Sequence, residues 1–342
     1  MSEKNKRPFF SIVIATYNSE KTLVYTLESI EKQKIEKDEV EVLIVDGGST
    51  DDTINIVKAH GLKVINNPYR LPEYAKAIGI KNATGHYVLR MDSDEEFSYD
   101  TQLHDKMIYL KKYPEVKMLL PNRYATGRKE ICGICAEYMN ILGDPFSYFV
   151  YKTKYDKYST YEKNIIKKDG KFALMKFDQG DIYPLADSAT SALSLDYMRE
   201  NYPNDYTTIE FTCGAYDYII RDTKFCGCIK GDNIKHNCSS TLKVYFSKLR
   251  FRVINNLFHK QESGFSAKLG INKKLKIRKI MFCFYALLIP LPIIDSIRMA
   301  VKYRNWTYLL HFVYLYYVCI QIVILGMQKI FGKIAENKSY GK

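Results

Sequence analysis

HYVLRMDSDEE, residues 86–96, is the stretch from which the fold is read outward. Tyr87, Val88 and Leu89 form a β-favouring apolar run that leads into Met91-Asp92-Ser93-Asp94, with Glu95 and Glu96 directly behind. Side chains two apart on a strand share a face, so Asp92 and Asp94 are expected to project together from the strand's end. Two carboxylates about 6 Å apart repel by roughly 3 kcal/mol at an effective dielectric of about 20. Such a cluster is tolerated in open solvent, or required where a divalent cation sits, and hard oxygen ligands suit Mg or Mn. Taken alone, an Asp-x-Asp reads as a solvated acidic turn. The chain before it changes that reading.

Phe9 to Ala15 (FFSIVIA) fits a buried parallel strand. It ends at Thr16-Tyr17-Asn18-Ser19, where Asn18 or Ser19 is positioned to cap the next helix. That helix carries Leu23, Leu27 and Ile30 on one stripe. A second strand, Val40 to Val45, runs into Asp46-Gly47-Gly48-Ser49-Thr50-Asp51, and a third covers Leu62 to Ile65. Pro72 sits in the first turn of a further helix, and the strand bearing Asp92 and Asp94 follows. Strands alternating with helices spell an α/β sheet wound from βαβ units. Ligands of such sheets sit at the carboxyl ends of strands. Three of those ends carry polar groups: Tyr17 and Asn18, then Asp46 to Asp51, then Asp92 and Asp94.

The stretches SIVIATYNSEKTL (11–23), EVLIVDGGSTDDT (41–53) and NPYRLPEYAKAIGIKNATGHYVLRMDSDEE (67–96), with their spacing, resemble the family 2 glycosyltransferases. The resemblance covers residues 9–96 and fades beyond. It implies the GT-A type nucleotide-diphospho-sugar transferase fold, a mostly parallel sheet with helices on both faces. It also implies a nucleotide-sugar donor and a divalent metal, Mg or Mn. Carried over residue by residue, Thr16, Tyr17 and Asn18 belong to the donor loop, with Tyr17 as the base-stacking aromatic. Asp46 resembles the acid that reads uracil, Arg70 the basic residue facing the nucleotide, and Asp92 the residue near the ribose. Asp94 would bind the metal that bridges the diphosphate, and His236 stands where some relatives place a histidine near that metal. Taken singly, Tyr17 reads equally as a packed rim aromatic, Asp46 as a turn cap, and Arg70 and His236 as ordinary surface or core residues.

An inverting transfer, itself implied by the resemblance, needs a base on the acceptor hydroxyl. Relatives place an acidic pair before a helix that ends in arginine. With Arg221 as that arginine, the pair falls at Gly214 and Ala215, and neither takes a proton. Glu210 and Asp217 are the nearest acids and the two candidate bases; each also reads as a structural acid. YPLADSATSALSLDYM (183–198) occupies the position of a small-residue stretch that lines the acceptor pocket in relatives. EYMNILGDPFSYFVYK (137–152), rich in aromatics, suits a surface near lipid or a lipid-linked acceptor, or a helix packed on the sheet.

The 342 residues hold 51 lysines and arginines against 38 acids, a net charge of +13, which points to an anionic partner. No recognition motif supports nucleic acid. No apolar signal core follows MSEKNKRPFF and the eight cysteines form no framework, so a reducing cytoplasm is expected for the catalytic part. Cys132/Cys135 and Cys226/Cys228 do not make a four-ligand zinc pattern. Residues 1–238 are read as the catalytic domain, with a donor half (9–120) and an acceptor half (121–238).

Beyond it, residues 239–279 are basic and aromatic. Leu242, Phe246, Leu249, Val253 and Leu257 form one helical stripe, with Lys243, Lys248, Arg250 and Arg252 off it. That pattern fits an interfacial helix beside anionic lipid, or a helix packed on the protein. Residues 280–326 are read as a hydrophobic membrane hairpin, and 327–342 as a basic tail. Ile280 to Ile294 reaches only about 22 Å and is broken by Pro290 and Pro292, whereas Trp306 to Leu325 reaches about 30 Å and is long enough to span. Either a re-entrant hairpin or two full spans keeps the catalytic domain at the cytoplasmic face of a cell membrane.

The leading expectation is a membrane-associated, metal-dependent inverting transferase acting on a lipid-linked or glycan acceptor. A catalytically degenerate nucleotide-sugar-binding or scaffold subunit is the alternative, motivated by the missing acidic pair. A dinucleotide oxidoreductase lacks its G-x-G-x-x-G, since ATYNSE follows the first strand.

Overall fold

The computed structural model describes residues 6–152, 156–184, 190–239, 241–258 and 273–332. Two compact units are interleaved along the chain: Met1–Arg128, Tyr161–Gln179 and Tyr183–Asn237 form the first, and Lys129–Thr160, Gly180–Ile182 and Cys238–Lys342 the second. The expected boundary near 238 therefore marks only the last crossing. Residues 129–160, read above as acceptor half, cluster with the C-terminal helices.

The first unit opens β1 (Phe10–Thr16), α1 (Leu23–Glu31), β2 (Val40–Asp46), α2 (Thr53–Ala59), β3 (Val64–Asn66), α3 (Pro72–Asn82), β4 (Tyr87–Asp92) and β5 (Glu95–Phe97). Next come α4 (Gln102–Lys112), β6 (Met118–Leu120) and β7 (Arg123–Thr126). Helices α5 (Ala136–Leu142), α6 (Pro145–Tyr151) and α7 (Lys157–Thr160) belong to the second unit. The first resumes with β8 (Ile165–Asp169), β9 (Phe172–Lys176), β10 (Ala192–Ser194), α8 (Leu195–Asn201), α9 (Ile209–Thr223), β11 (Phe225–Ile229) and β12 (Asn233–His236). The second unit closes with α10 (Leu242–Phe258), α11 (Lys273–Leu287), α12 (Pro290–Tyr303) and α13 (His311–Ile330).

One sheet runs β3-β2-β1-β4-β10-β6-β11-β9-β8, and a small one runs β5-β12-β7. β1 lies parallel to both β2 and β4, with Thr16 opposite Asp46 and Ala15 opposite Asp92. The polar strand ends picked out in the sequence thus stand side by side. The expectation of a mostly parallel sheet needs correcting. β10 enters antiparallel between β4 and β6, and β9 pairs antiparallel with β11 and β8. The βαβ rhythm ends after β4, so the later strands pair by long-range contacts that no local period announces. Ile12, Ile14, Ile44, Leu89 and Met91 are fully buried beneath the site and make it a rigid floor.

In the second unit the predicted stripe of α10 is turned into protein. Tyr245, Leu249 and Val253 are buried in one cluster with Tyr138 of α5 and Tyr314 of α13, and Phe246 packs against it. The interfacial reading of that stripe does not fit this arrangement, because the side chains that would face lipid already have protein neighbours. Residues 259–272 of the expected interfacial region and 333–342 of the expected tail lie outside the described residues, as do 185–189 of the expected acceptor stretch.

Candidate active site

Four loops build the site. The first turns sharply after β1, with Asn18 in the left-handed region at φ 50°. The expected side-chain cap is absent: α1 begins at Leu23, whose amide donates to the Ser19 carbonyl at 3.0 Å, with no side-chain cap. Their side chains tie loops together instead. Asn18 Oδ1 accepts from the Thr50 amide at 2.9 Å, and Ser19 Oγ lies 2.8 Å from Ser93 Oγ in the turn after β4. Tyr17 and Asn18 are left exposed at the rim.

Asp46 ends β2 and is 4% exposed. Its Oδ1 accepts from Thr16 Oγ1 at 2.8 Å and from Ser49 Oγ at 2.5 Å, and its Oδ2 from the Gly48 and Ser49 amides, each at 2.8 Å. A carboxylate offers about four acceptor positions, so Asp46 is saturated by its own loop. Gly47 is required here by a close approach. A Cβ on it would lie 3.2 Å from Arg70 Cα and 3.5 Å from the Tyr17 ring. Arg70 itself adopts φ 61° in the loop after β3, which Asn67 buttresses through its amide to the Asp46 carbonyl at 2.7 Å. Tyr17, Asp46, Gly47 and Arg70 are thereby brought to one corner.

At the end of β4 the acids part company. Asp92 Oδ1 pairs with Lys76 Nζ of α3 at 2.7 Å, while Asp94, one turn beyond the strand, has its Oδ2 3.2 Å from His236 Nε2 of β12. The expectation that Asp92 and Asp94 project as one strand face is corrected: the strand stops at Asp92, so the i, i+2 rule no longer governs Asp94. Glu95 binds both sides together. Its Oε2 accepts from the Asp92 amide at 3.0 Å and its Oε1 from Tyr124 OH at 2.6 Å. Complete burial pushes its carboxyl up to about 8, with the Asp92 charge adding to the effect. Glu96, on the opposite face of β5, takes Arg128 in a two-point pair at 2.9 and 3.1 Å. The sequence pass missed Lys76 and Glu95 as site residues. A lysine one turn into the helix before an Asp-x-Asp strand is the only local signal for the first.

The β11–β12 connection that delivers His236 is itself pinned. Asp232 and Lys106 of α4 form an ion pair with both side chains fully buried, and Gln102 Nε2 donates to Asp232 Oδ1 at 2.6 Å.

Asp94 and His236 offer a carboxylate and an imidazole that share one point in space, and both side chains are partly exposed, at 35% and 18%. Among the described residues no group of three or more His, Cys, Asp or Glu converges. The pair fits a hard divalent ion that draws its remaining ligands from water or phosphate oxygens, as such ions commonly do.

Glu210 stands exposed in the first turn of α9, and Asp217 lies half-buried two turns in. Between them Cys213 is close to the site: burial pushes its thiol up, Glu73 adds to that, and Arg90 and Lys76 oppose it. The first turns of α9 are therefore near the lysine that grips Asp92. At Gly214, where relatives are expected to carry an acid, a Cβ would meet the Tyr218 ring at 3.0 Å. That ring, 44% exposed, stacks on Phe211 at 5.1 Å.

A wound sheet whose β1, β2 and β4 ends gather donors, acids and a basic loop around an Asp–His pair defines the GT-A class of nucleotide-diphospho-sugar transferase folds. Residues 11–130 match the family model described as Glycosyl transferase family 2. It is 33% identical over 125 residues to the poly(ribitol-phosphate) beta-N-acetylglucosaminyltransferase TarS of Staphylococcus aureus, covering 35% of this chain and 22% of that protein. It is 37% identical over 89 residues to the UDP-Glc:alpha-D-GlcNAc-diphosphoundecaprenol beta-1,3-glucosyltransferase WfaP of Escherichia coli, covering 25% of this chain and 35% of that protein. The chain thus spans well under half the length of these relatives. Its fold is shared with the mannosyltransferase PcManGT of Pyrobaculum calidifontis, solved with GDP-Man and Mn2+. The TM-score is 0.52 at 14% identity, over 93% of this chain and 88% of that one.

Proposed function

We propose that the chain transfers a sugar, with inversion and with a divalent metal, from a nucleoside-diphosphate sugar to a lipid-linked or glycan acceptor at the cytoplasmic face of a membrane. The observation that carries this is the Asp94–His236 pair, which sits beside the turn that Ser93 and Ser19 tie to the β1 loop. In this reading Tyr17 stacks on the base, with Thr16 and Asn18 shaping its loop. Asp46 holds the 46–49 turn in which the base rests, and Arg70 closes over it. Asp92, held by Lys76, faces the ribose. Asp94 and His236 hold the ion. A bound metal neutralises the charge that gathers on the diphosphate as the glycosidic bond breaks. The acceptor classes follow the activities of TarS and WfaP, which act on a polyol-phosphate polymer and a diphospholipid-linked sugar.

A general base is assigned to Glu210 or Asp217. Glu210 lies in the first turn of α9 and Asp217 two turns in, and the two stand as alternatives. Thermal unfolding with UDP, GDP and their sugars, with and without manganese, tests the donor half. A ligand bound only to the folded chain raises Tm by linkage, and no rise with any of them removes the reading. The absence of a proton-accepting side chain at Gly214 and Ala215 favours one second reading, a donor-binding subunit without turnover. Nucleotide binding with neither transfer nor donor hydrolysis would establish that instead.

A further inference from the structure

We propose that α11 and α12 enter one leaflet of an anionic bilayer as a wedge and return to the face they came from, without crossing it. This rests on the membrane part of the reading above and deepens it. The two helices meet at 95° across a short break. Each arm is about 21 to 22 Å long, so neither alone crosses a hydrocarbon layer of about 30 Å. Apolar side chains stand open at the apex, where Phe284 is 62% exposed, Leu287 76%, Leu288 56% and Ile289 57%, and along the arms, where Ile280 is 62% and Val301 66% exposed.

Three features make the bend a built structure. Tyr285 OH of α11 donates to Asp295 Oδ2 of α12 at 3.1 Å, across the break. From α13, Tyr316 OH donates to the Ala286 carbonyl at 2.8 Å and the Phe312 amide to Ser296 Oγ at 3.2 Å. Straightening the pair into a span centred on the break would break the first of these, carry Asp295 into hydrocarbon and bring Arg298 to its edge, at a cost of kcal/mol order.

The backbone at the apex is suited to lipid, where an unbonded amide has no water to turn to. Pro290 and Pro292 occupy the first turn of α12, where N–H groups have no helical partner, and proline brings none. The Leu288 amide donates to the Phe284 carbonyl at 3.0 Å and the Leu291 amide to the Leu288 carbonyl at 2.8 Å. Charge completes the case. Residues 280–294 contain no charged side chain, while Lys274, Lys276, Arg278 and Lys279 stand at one open end and Arg298, Lys302 and Arg304 at the other. Both ends suit the same layer of anionic headgroups.

Single reporter cysteines at Lys274, Leu288 and Lys302, in the full chain with Cys132, Cys283 and Cys319 replaced by serine, test this in membrane vesicles of known orientation. A membrane-impermeant maleimide is expected to label 274 and 302 from the same face and to reach 288 only after detergent. Labelling of 274 and 302 from opposite faces, or of 288 in intact membranes as fast as 274, overturns the wedge. The purified protein is expected to float with phosphatidylglycerol vesicles more than with phosphatidylcholine alone, and Leu288→Asp is expected to remove that preference while the 306–330 helix keeps the remaining flotation. Flotation with neither, with the apex protected in a dimer, means a second copy covers it and also overturns the wedge. The nucleotide-induced rise in Tm is read on the same samples. Its loss beside same-face labelling removes the transferase reading alone, and its retention beside opposite-face labelling removes the wedge alone.

Discussion

Asp94 lies in the turn before β5 and His236 ends the neighbouring strand β12, so substituting either side chain leaves the backbone pairing in place. Asp94→Asn or His236→Ala is expected to abolish the manganese-dependent part of the nucleotide-induced rise in Tm. Transfer is expected to fall at least about a hundredfold, in line with the several kcal/mol a metal contributes at such a leaving group. Retention of the full manganese effect in both variants would place the ion elsewhere. Asp196 gives the pH dependence a sign. Its partial burial pushes its carboxyl up, but hydrogen bonds from His86 and Arg7 outweigh that and hold it below the ordinary range. The stability it adds is therefore present above the unfolded carboxyl value and lost as pH falls through the folded one. With the Asp196 side chain 46% exposed, the effect is at most about 1 kcal/mol. Asp196→Asn is expected to lower Tm slightly near neutral pH and to flatten its fall in acid, as read by thermal melts across pH.

Among the elements, the β11–β12 connection depends most on one contact. Burial pushes the Asp232 carboxyl up, against the pull of Lys106 and Gln102. Lys106→Met leaves that acid without its ion-pair partner, at a cost of about 3 kcal/mol or more. A large drop in Tm is expected, partly regained in Lys106→Met/Asp232→Leu. If the single variant melts like the parent, the pair does not hold the connection. None of this was legible in sequence, because Lys106 and Asp232 lie far apart and read as two ordinary surface charges. The early strands were legible for the opposite reason. FFSIVIA, VEVLIV and HYVLRM each show a run whose period and flanking turn residues give the element away. Asn18 and Ser19 misled because a polar pair after a strand looks like a helix cap, whereas here they bond to the neighbouring strand ends.

For the whole molecule, the membrane reading rests on apolar area left without protein cover. Residues 306–330 form one helical stretch with a mean hydropathy of 2.0 over its best window, only 28% of it buried. At this length and apolarity the helix is a candidate membrane span. Extraction of the full chain is expected to need detergent and to resist high salt. Release by salt alone would mean that only the basic residues hold it. The sequence indicated this apolar content but not where α10 would go. Its stripe is equally suited to lipid and to protein, and only the packing of Tyr245 beside Tyr138 and Tyr314 decides.

The interleaving of the two units has a practical outcome for anyone trimming the gene. Cutting after Asn237 looks like a clean way to shed the greasy tail, yet it strips residues 129–160 of the helices they nest against. Tyr138 would lose Tyr245, Tyr308 and Tyr314 together, and Glu137 would lose Asn305. The shortened product would display a fresh sticky face in place of the one removed. A workable soluble version has to replace the 129–160 excursion with a short linker as well.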